Sequence, residues 1–155
     1  MRTLTISFAV VALYLALLAD AASGQDDAAA MEGVWKPTSA RRGIQNIGDH
    51  ILAQENWTIR DGSYYVLDRR DRSARVQIKL DPSATPKEID VIVTEGIDAG
   101  KHDRGIYELQ GDKLTVCWGL GSTRPKRLEW KADDRSLYLV VYERVVVKTA
   151  SVLSQ

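Results

Sequence analysis

Between Pro86 and Trp130 the chain runs through three short β-like stretches, each closed by turn residues, with apolar side chains returning at every second position. A period of two belongs to a strand with one face in a core and the other in solvent. Ile89, Val91 and Val93 alternate with Glu88, Asp90 and Thr94. Gly105 to Leu109 and Lys113 to Trp118 follow, joined by the tight turn Gln110-Gly111-Asp112. The pattern excludes a helical bundle and points to a sheet built from neighbouring hairpins.

The same grammar extends outward. Val34 to Ala40 reads as the first strand, with Pro37 suited to an edge, an end or a bulge. Ile44, Ile47, Ile51 and Leu52 fall at helix-like spacing, so one short helix is expected near residues 45–55. Trp57 to Arg60 and Ser63 to Asp68 flank Asp61-Gly62, the dipeptide that most readily supplies a two-residue hairpin turn. Val76, Ile78 and Leu80 alternate with Arg75, Gln77 and Lys79. Pro125 opens a further expected strand through Leu128 and Trp130, and Leu137 to Val147 is the last. Eight or nine short strands with no long helix between them exclude a parallel sheet. An antiparallel up-and-down barrel is favoured over a sandwich, because closing the meander removes its exposed edges.

The first 24 residues have the layout of a secretory signal peptide: Arg2, an apolar run from Phe8 to Leu18, then Ala19, Ala21, Ala22 and Gly24. The apolar run is shorter than the roughly 20 residues needed to span a bilayer. The expected product is an exported protein, periplasmic or extracellular, with no membrane association after cleavage. Residues 25–31 read as a disordered lead-in, residues 32–148 as one domain and residues 149–155 as a tail. The chain carries 21 Lys+Arg and 21 Asp+Glu. Removing residues 1–24 takes one of each, so the balance stays neutral and nucleic acid is not an expected partner. The single cysteine, Cys117, cannot form an internal disulfide, and its apolar setting points to a buried, inert thiol.

Candidate chemistry is sparse. His102 lies among Asp98, Lys101 and Asp103, but no second histidine stands at ligand spacing, so a surface loop is the simpler account and no metal or cofactor is expected. Glu88, Asp90, Glu108 and Glu129 fall on the polar phase of their strands, which suits solvated positions better than a catalytic acid pair. No serine has a recognisable base. The chain reads as non-enzymatic.

Gly33-Val34-Trp35, Pro86-Lys87-Glu88-Ile89-Asp90, Gly105-Ile106-Tyr107-Glu108-Leu109 with Gly111-Asp112, Leu114 and Cys117, and Arg124-Pro125 together resemble an uncharacterised domain family abundant in planctomycete bacteria. The resemblance spans about residues 32 to 144. It implies a lipocalin-like barrel and no settled activity. Where that family carries an Asp-Gly-Lys turn after the first strand, this chain has Arg41-Arg42-Gly43. By the same analogy Trp35 packs across the closed end with Arg144 over its indole, a contact that contributes about 0.5–2 kcal/mol.

The function expected from these readings is binding. Val76, Ile78, Ile89, Val91, Val93, Leu114, Val116 and Trp118 share inward parity, with Tyr138, Val140 and Tyr142 beside them. Trp118, Tyr138, Tyr142, Val91 and Val116 are the candidate contacts for a small apolar or aromatic ligand inside the barrel. The alternative is a barrel filled by its own side chains, acting as an interaction module for an extracytoplasmic protein. Tyr65 and Tyr107, on the opposite phase, would then be its anchors.

Overall fold

The structure is a computed structural model that describes residues 27–48, 56–67 and 73–146. The expected signal peptide and the tail at 149–155 lie outside the described residues. So does the part of the expected helix from 49 to 55. Among the described residues no helix is long and apolar enough to cross a membrane.

Among the described residues nine strands form one antiparallel sheet: β1 (Gly33–Arg42), β2 (Gln45–Asn46), β3 (Trp57–Arg60), β4 (Ser63–Leu67), β5 (Ser73–Asp81), β6 (Glu88–Glu95), β7 (His102–Gln110), β8 (Lys113–Gly119) and β9 (Leu137–Arg144). From β3 to β9 each strand pairs with its sequence neighbour, β1 pairs with β3, and β1 also pairs with β9 from Trp35↔Arg144 to Arg41↔Leu139. That last ladder joins the first strand of the meander to the last and makes it an up-and-down barrel. The register of the β1–β9 ladder shifts between Pro37 and Ser39. A bulge there accommodates a proline, which has no N–H to give the ladder.

The hairpin at Asp61-Gly62 forms as its sequence requires. Asp61 and Gly62 adopt φ of +50° and +69°, the left-handed pair that matches the twist of the flanking strands. Antiparallel order then sorts the connections into two ends. One end carries the turns at 61–62, 82–87 and 111–112. The other, the mouth, carries the β1–β2 turn, the β6–β7 loop and the β8–β9 connection.

The inward side chains fill most of the barrel. Trp35, Ala40, Leu114 and Val116 are fully buried, and Ile59, Val76, Ile89, Val91, Val140 and Tyr142 nearly so. Each large apolar side chain removed from water this way contributes about 1.5–3 kcal/mol.

Four expectations are corrected. Residues 27–31, read as a disordered lead-in, form a helical turn whose Met31 is buried beneath the sealed end. Alanine-rich composition hid this, because one buried methionine leaves no period to detect. Gln45 and Asn46, read as the start of a helix, form β2, which pairs with Arg41 and Arg42 across the turn at Gly43 and Ile44. Residues 125–130, read as a strand, belong to a long connection, 120–136, laid against the outside of β7 and β8, where it buries Pro125. Tyr107, read as an outward anchor, pairs with Val116 on the inward phase and is buried. Ile106 is the outward residue of that strand, and it is buried as well. The outer face of β7 is covered at Ile106 while Arg104, Glu108 and Gln110 stay exposed, so at Ile106 and Tyr107 both phases are apolar and polarity does not give the parity.

Candidate functional site

The sealed end is built around Trp35. Its Nε1 donates to the Met31 carbonyl at 2.8 Å, and the Arg144 guanidinium carbon lies 4.2 Å from the centroid of its ring. Arg144 also donates to the carbonyls of Ala30 and Glu32, and its Nε donates to Asp112 Oδ1 at 2.9 Å. Gly33 makes this approach possible, because a Cβ there would stand 2.7 Å from Arg144 Nη1. Asp27 ties the helical turn to the barrel. Its Oδ2 accepts from Tyr107 Oη at 2.6 Å and from Lys87 Nζ at 2.7 Å. Burial pushes the Asp27 carboxyl up, but these two hydrogen bonds and the Lys87 charge outweigh it and hold the group below the usual carboxylate value. Burial, with Asp27 beside it, raises the Tyr107 phenol, which stays protonated.

The mouth differs in shape and chemistry. A pocket of about 220 Å³ opens there, lined by Trp57, Val91, Lys101, Asp103, Trp118, Gly119, Leu120 and Tyr138. Trp57 and Tyr142 pack with ring centroids 4.4 Å apart, and Trp57 and Trp118 stand 6.2 Å apart with planes inclined at 53°. Trp118 owes its seat to Gly105 on the neighbouring strand. A Cβ at that position would meet the indole at 2.8 Å and the Cys117 carbonyl at 2.9 Å. A glycine opposite a tryptophan therefore lets the ring lie flat across β7 and form the floor of the mouth.

Lys101 and Asp103 supply the charge. Along β7 and the residue preceding it, Tyr107, Gly105, Asp103 and Lys101 share one parity, and Asp103 pairs across the sheet with the inward Val91. The Lys101 backbone continues that ladder through its carbonyl, which accepts from the Val93 N–H at 2.9 Å. Two side chains at core-phase positions are thus ionic, and they meet each other, Lys101 Nζ to Asp103 Oδ2 at 3.5 Å.

Of the five residues expected to contact a ligand, Trp118, Tyr138 and Val91 line this pocket, whereas Val116 and Tyr142 lie deeper as core packing. Trp57, Lys101, Asp103, Gly119 and Leu120 complete it and were not expected. Correct parity for β7 is the signal that finds Asp103, and it is available only once Tyr107 is known to face inward. His102 sits on the outer face, its Nε2 3.8 Å from Asp90 Oδ2. Among the described residues no three His, Cys, Asp or Glu side chains gather as metal ligands would.

The outer face of β6 to β8 holds the 120–136 connection. Arg124 donates from Nη1 to the Gly105 carbonyl at 2.7 Å and from Nη2 to Asp90 Oδ1 at 2.6 Å, and its Nε lies 3.1 Å from Glu88 Oε2. Farther along, Trp130 Nε1 donates to the Gly43 carbonyl at 2.7 Å while Arg41 stacks on its ring at 5.0 Å. The Leu120 N–H donates to the Ser136 carbonyl at 2.8 Å, so the connection leaves and rejoins the barrel at one place. Cys117, whose parity is outward, is fully buried beside it. Burial pushes its thiol up to about 11, with Asp134 adding to the effect.

Fold and site together define a small antiparallel β-barrel, sealed at one end by an indole under an arginine and open at the other through an aromatic pocket. No protein family, curated protein or solved structure matches this chain.

Proposed function

We propose that this protein is an exported, non-enzymatic binding module that holds one small, flat, apolar or aromatic ligand in the mouth of its barrel. The observation that carries this reading is the pocket walled by Trp57, Trp118 and Tyr138 at the open end, opposite an end closed by Trp35 and Arg144. Aromatic walls with a few polar groups at the rim are the usual composition of a small-molecule site. At about 220 Å³ the pocket is smaller than the roughly 300–1,000 Å³ typical of sites for drug-sized ligands. Directly below it Val116, Val140 and Tyr142 are buried, so the ligand is of one-ring size and sits high in the barrel. The arrangement of Arg2, the Phe8 to Leu18 run and the small residues after it supports export. The lipocalin-like resemblance agrees with a role in binding.

Native mass spectrometry of the protein purified from its own host, before and after denaturation, tests this. A small molecule released on unfolding, and absent from a Trp118→Ala variant, supports the reading. A bare mass, together with no saturation transfer to one-ring aromatic compounds in ligand-observed NMR, refutes it.

A second reading rests on the mouth-side turns. Ile44 is 73% exposed on the β1–β2 turn and Ile97 is 80% exposed on the β6–β7 loop. Exposed aliphatic residues at the same end as the pocket suit docking of an extracytoplasmic protein by its rim.

A further inference from the structure

Resting on the reading of the mouth as a ligand site, we infer that its ligand is a zwitterion, an aromatic α-amino acid, with the ring against Trp57, Trp118 and Tyr138 and the charged groups on Lys101 and Asp103. Along the inward phase the residues pass from Tyr107 and Gly105 to Asp103 on β7 and to Lys101 just before it, so at the rim a carboxylate and an ammonium continue the phase that carries apolar side chains deeper in the barrel. A purely hydrocarbon ligand gains nothing from them and is penalised by the desolvation it imposes on both.

The two charges are opposite and close, at 3.5 Å; Lys101 is exposed at the rim, with 59% of its side chain accessible, and Asp103 is half-buried, with 35% accessible. A ligand with a single charge pairs with one of them and turns a like charge toward the other. A ligand carrying ammonium and carboxylate on one carbon meets both at once, its ammonium on Asp103 and its carboxylate on Lys101. The four charges then alternate in sign, and each pair gains a charge-assisted hydrogen bond.

Size agrees with this class. An apolar cavity of about 150 Å³ admits a single benzene ring. The mouth, at about 220 Å³, adds room for a short polar tail beyond the ring. The tail points outward by geometry. Trp118 lies over Gly105 on the floor, Asp103 is higher on the same strand, and Lys101 is higher still, in the loop just before it. The Lys101 carbonyl is fixed by the Val93 N–H, and Gly100 N–H donates to the Val93 carbonyl at 2.8 Å, so the backbone beneath both ionic side chains is held by the ladder.

The test is a series of four probes on the intact domain by isothermal titration and ligand-observed NMR: L-phenylalanine, 2-phenylethylamine, 3-phenylpropanoate and toluene. Phenylalanine is expected to bind at least about tenfold more tightly than either singly charged analogue. Asp103→Asn is expected to abolish its advantage over 3-phenylpropanoate, and Lys101→Met its advantage over 2-phenylethylamine, with melting temperatures unchanged. If all four bind alike, or the variants leave the ranking intact, the zwitterion inference is overturned while the aromatic pocket stands. If none binds at millimolar concentration, both the inference and the proposed ligand site fall.

Discussion

Replacing Gly119 with alanine isolates the contact between the barrel and its outer connection. The backbone at Gly119 has φ −93° and ψ 129°, an extended conformation open to any residue, so the whole effect is steric. A Cβ there would stand 1.5 Å from the Thr123 carbonyl oxygen and 3.3 Å from Pro125 Cδ. Ordinary contact needs about 3.4 Å or more, so the chain at Thr123 must retreat by about 2 Å. That displacement takes Arg124 out of reach of the Gly105 carbonyl and Asp90, which it now meets at 2.7 Å and 2.6 Å. Hydrogen bonds to charged groups contribute about 1.5–3 kcal/mol, and uncovering Ile106 and Cys117 adds to the loss, giving about 2–4 kcal/mol. For a domain of this size the melting temperature falls by about 4 °C per kcal/mol, so a drop of about 8–16 °C is expected. Cys117 reports the same event. As the only cysteine it is fully buried with its thiol raised to about 11, so the native protein reacts slowly with Ellman's reagent at pH 8. Gly119→Ala is expected to react at least about tenfold faster under native conditions, and Arg124→Met to shift both readouts in the same direction by less. An unchanged melting temperature with a still-protected thiol would refute the account of the connection as a packed strap.

Trp35→Ala removes the ring that seals the closed end and leaves Arg144 without its stacking partner; a loss of about 3–5 kcal/mol is expected in chemical denaturation, and a midpoint unchanged from wild type would show that the seal is dispensable. Gly105→Ala drives Trp118 from its seat, so near-ultraviolet circular dichroism of the tryptophans is expected to change and binding at the mouth to be lost; preserved spectra would disprove the seating argument. The folded Asp27 carboxyl lies below its ordinary value of 3.8, so the stability it contributes is fully present above that value and lost as pH falls through the folded one. Asp27→Asn is accordingly expected to lower the melting temperature at neutral pH and to flatten its fall below about pH 4, and an acid limb identical to wild type would contradict this. Tyr107→Phe deletes the hydroxyl that Asp27 accepts from and is expected to cost about 1 kcal/mol, measured by urea denaturation at neutral pH; no change would mean that Lys87 alone holds the helical turn.

The alternation of Val76, Ile78, Ile89, Val91, Val93, Leu114, Val116 and Trp118 was enough to place three strands, β5, β6 and β8, and orient them, because period two is a local property of the backbone. Asp61-Gly62 and Gly111-Asp112 set hairpins for the same reason, since φ angles at a turn are chosen by the residues in it. The contact of Arg144 with Trp35 was open to expectation by analogy with closed barrels, and the structure brings the two together at 4.2 Å. Other features had no local signal. Tyr107 faces inward and Ile106 outward, yet both are buried, because the outer face of that strand is covered at Ile106. With water excluded from both sides at that point, polarity no longer marks which of the two is in the core.

The sequence by itself thus determined an all-β chain of short antiparallel strands, the residues of β5, β6 and β8 that line its interior, and the tight turns at Asp61-Gly62 and Gly111-Asp112. Only the tertiary structure decided that the run from Pro125 to Trp130 is a strap and not a strand, that residues 27–31 help close one end, and that Lys101 and Asp103 belong to the mouth. Those outcomes depend on contacts between segments far apart in sequence: Arg124 with Asp90, Asp27 with Tyr107, Trp118 over Gly105. Hydrophobic period and turn chemistry act over a few residues, whereas the partner that covers a face or fills a gap is set by closure of the barrel as a whole.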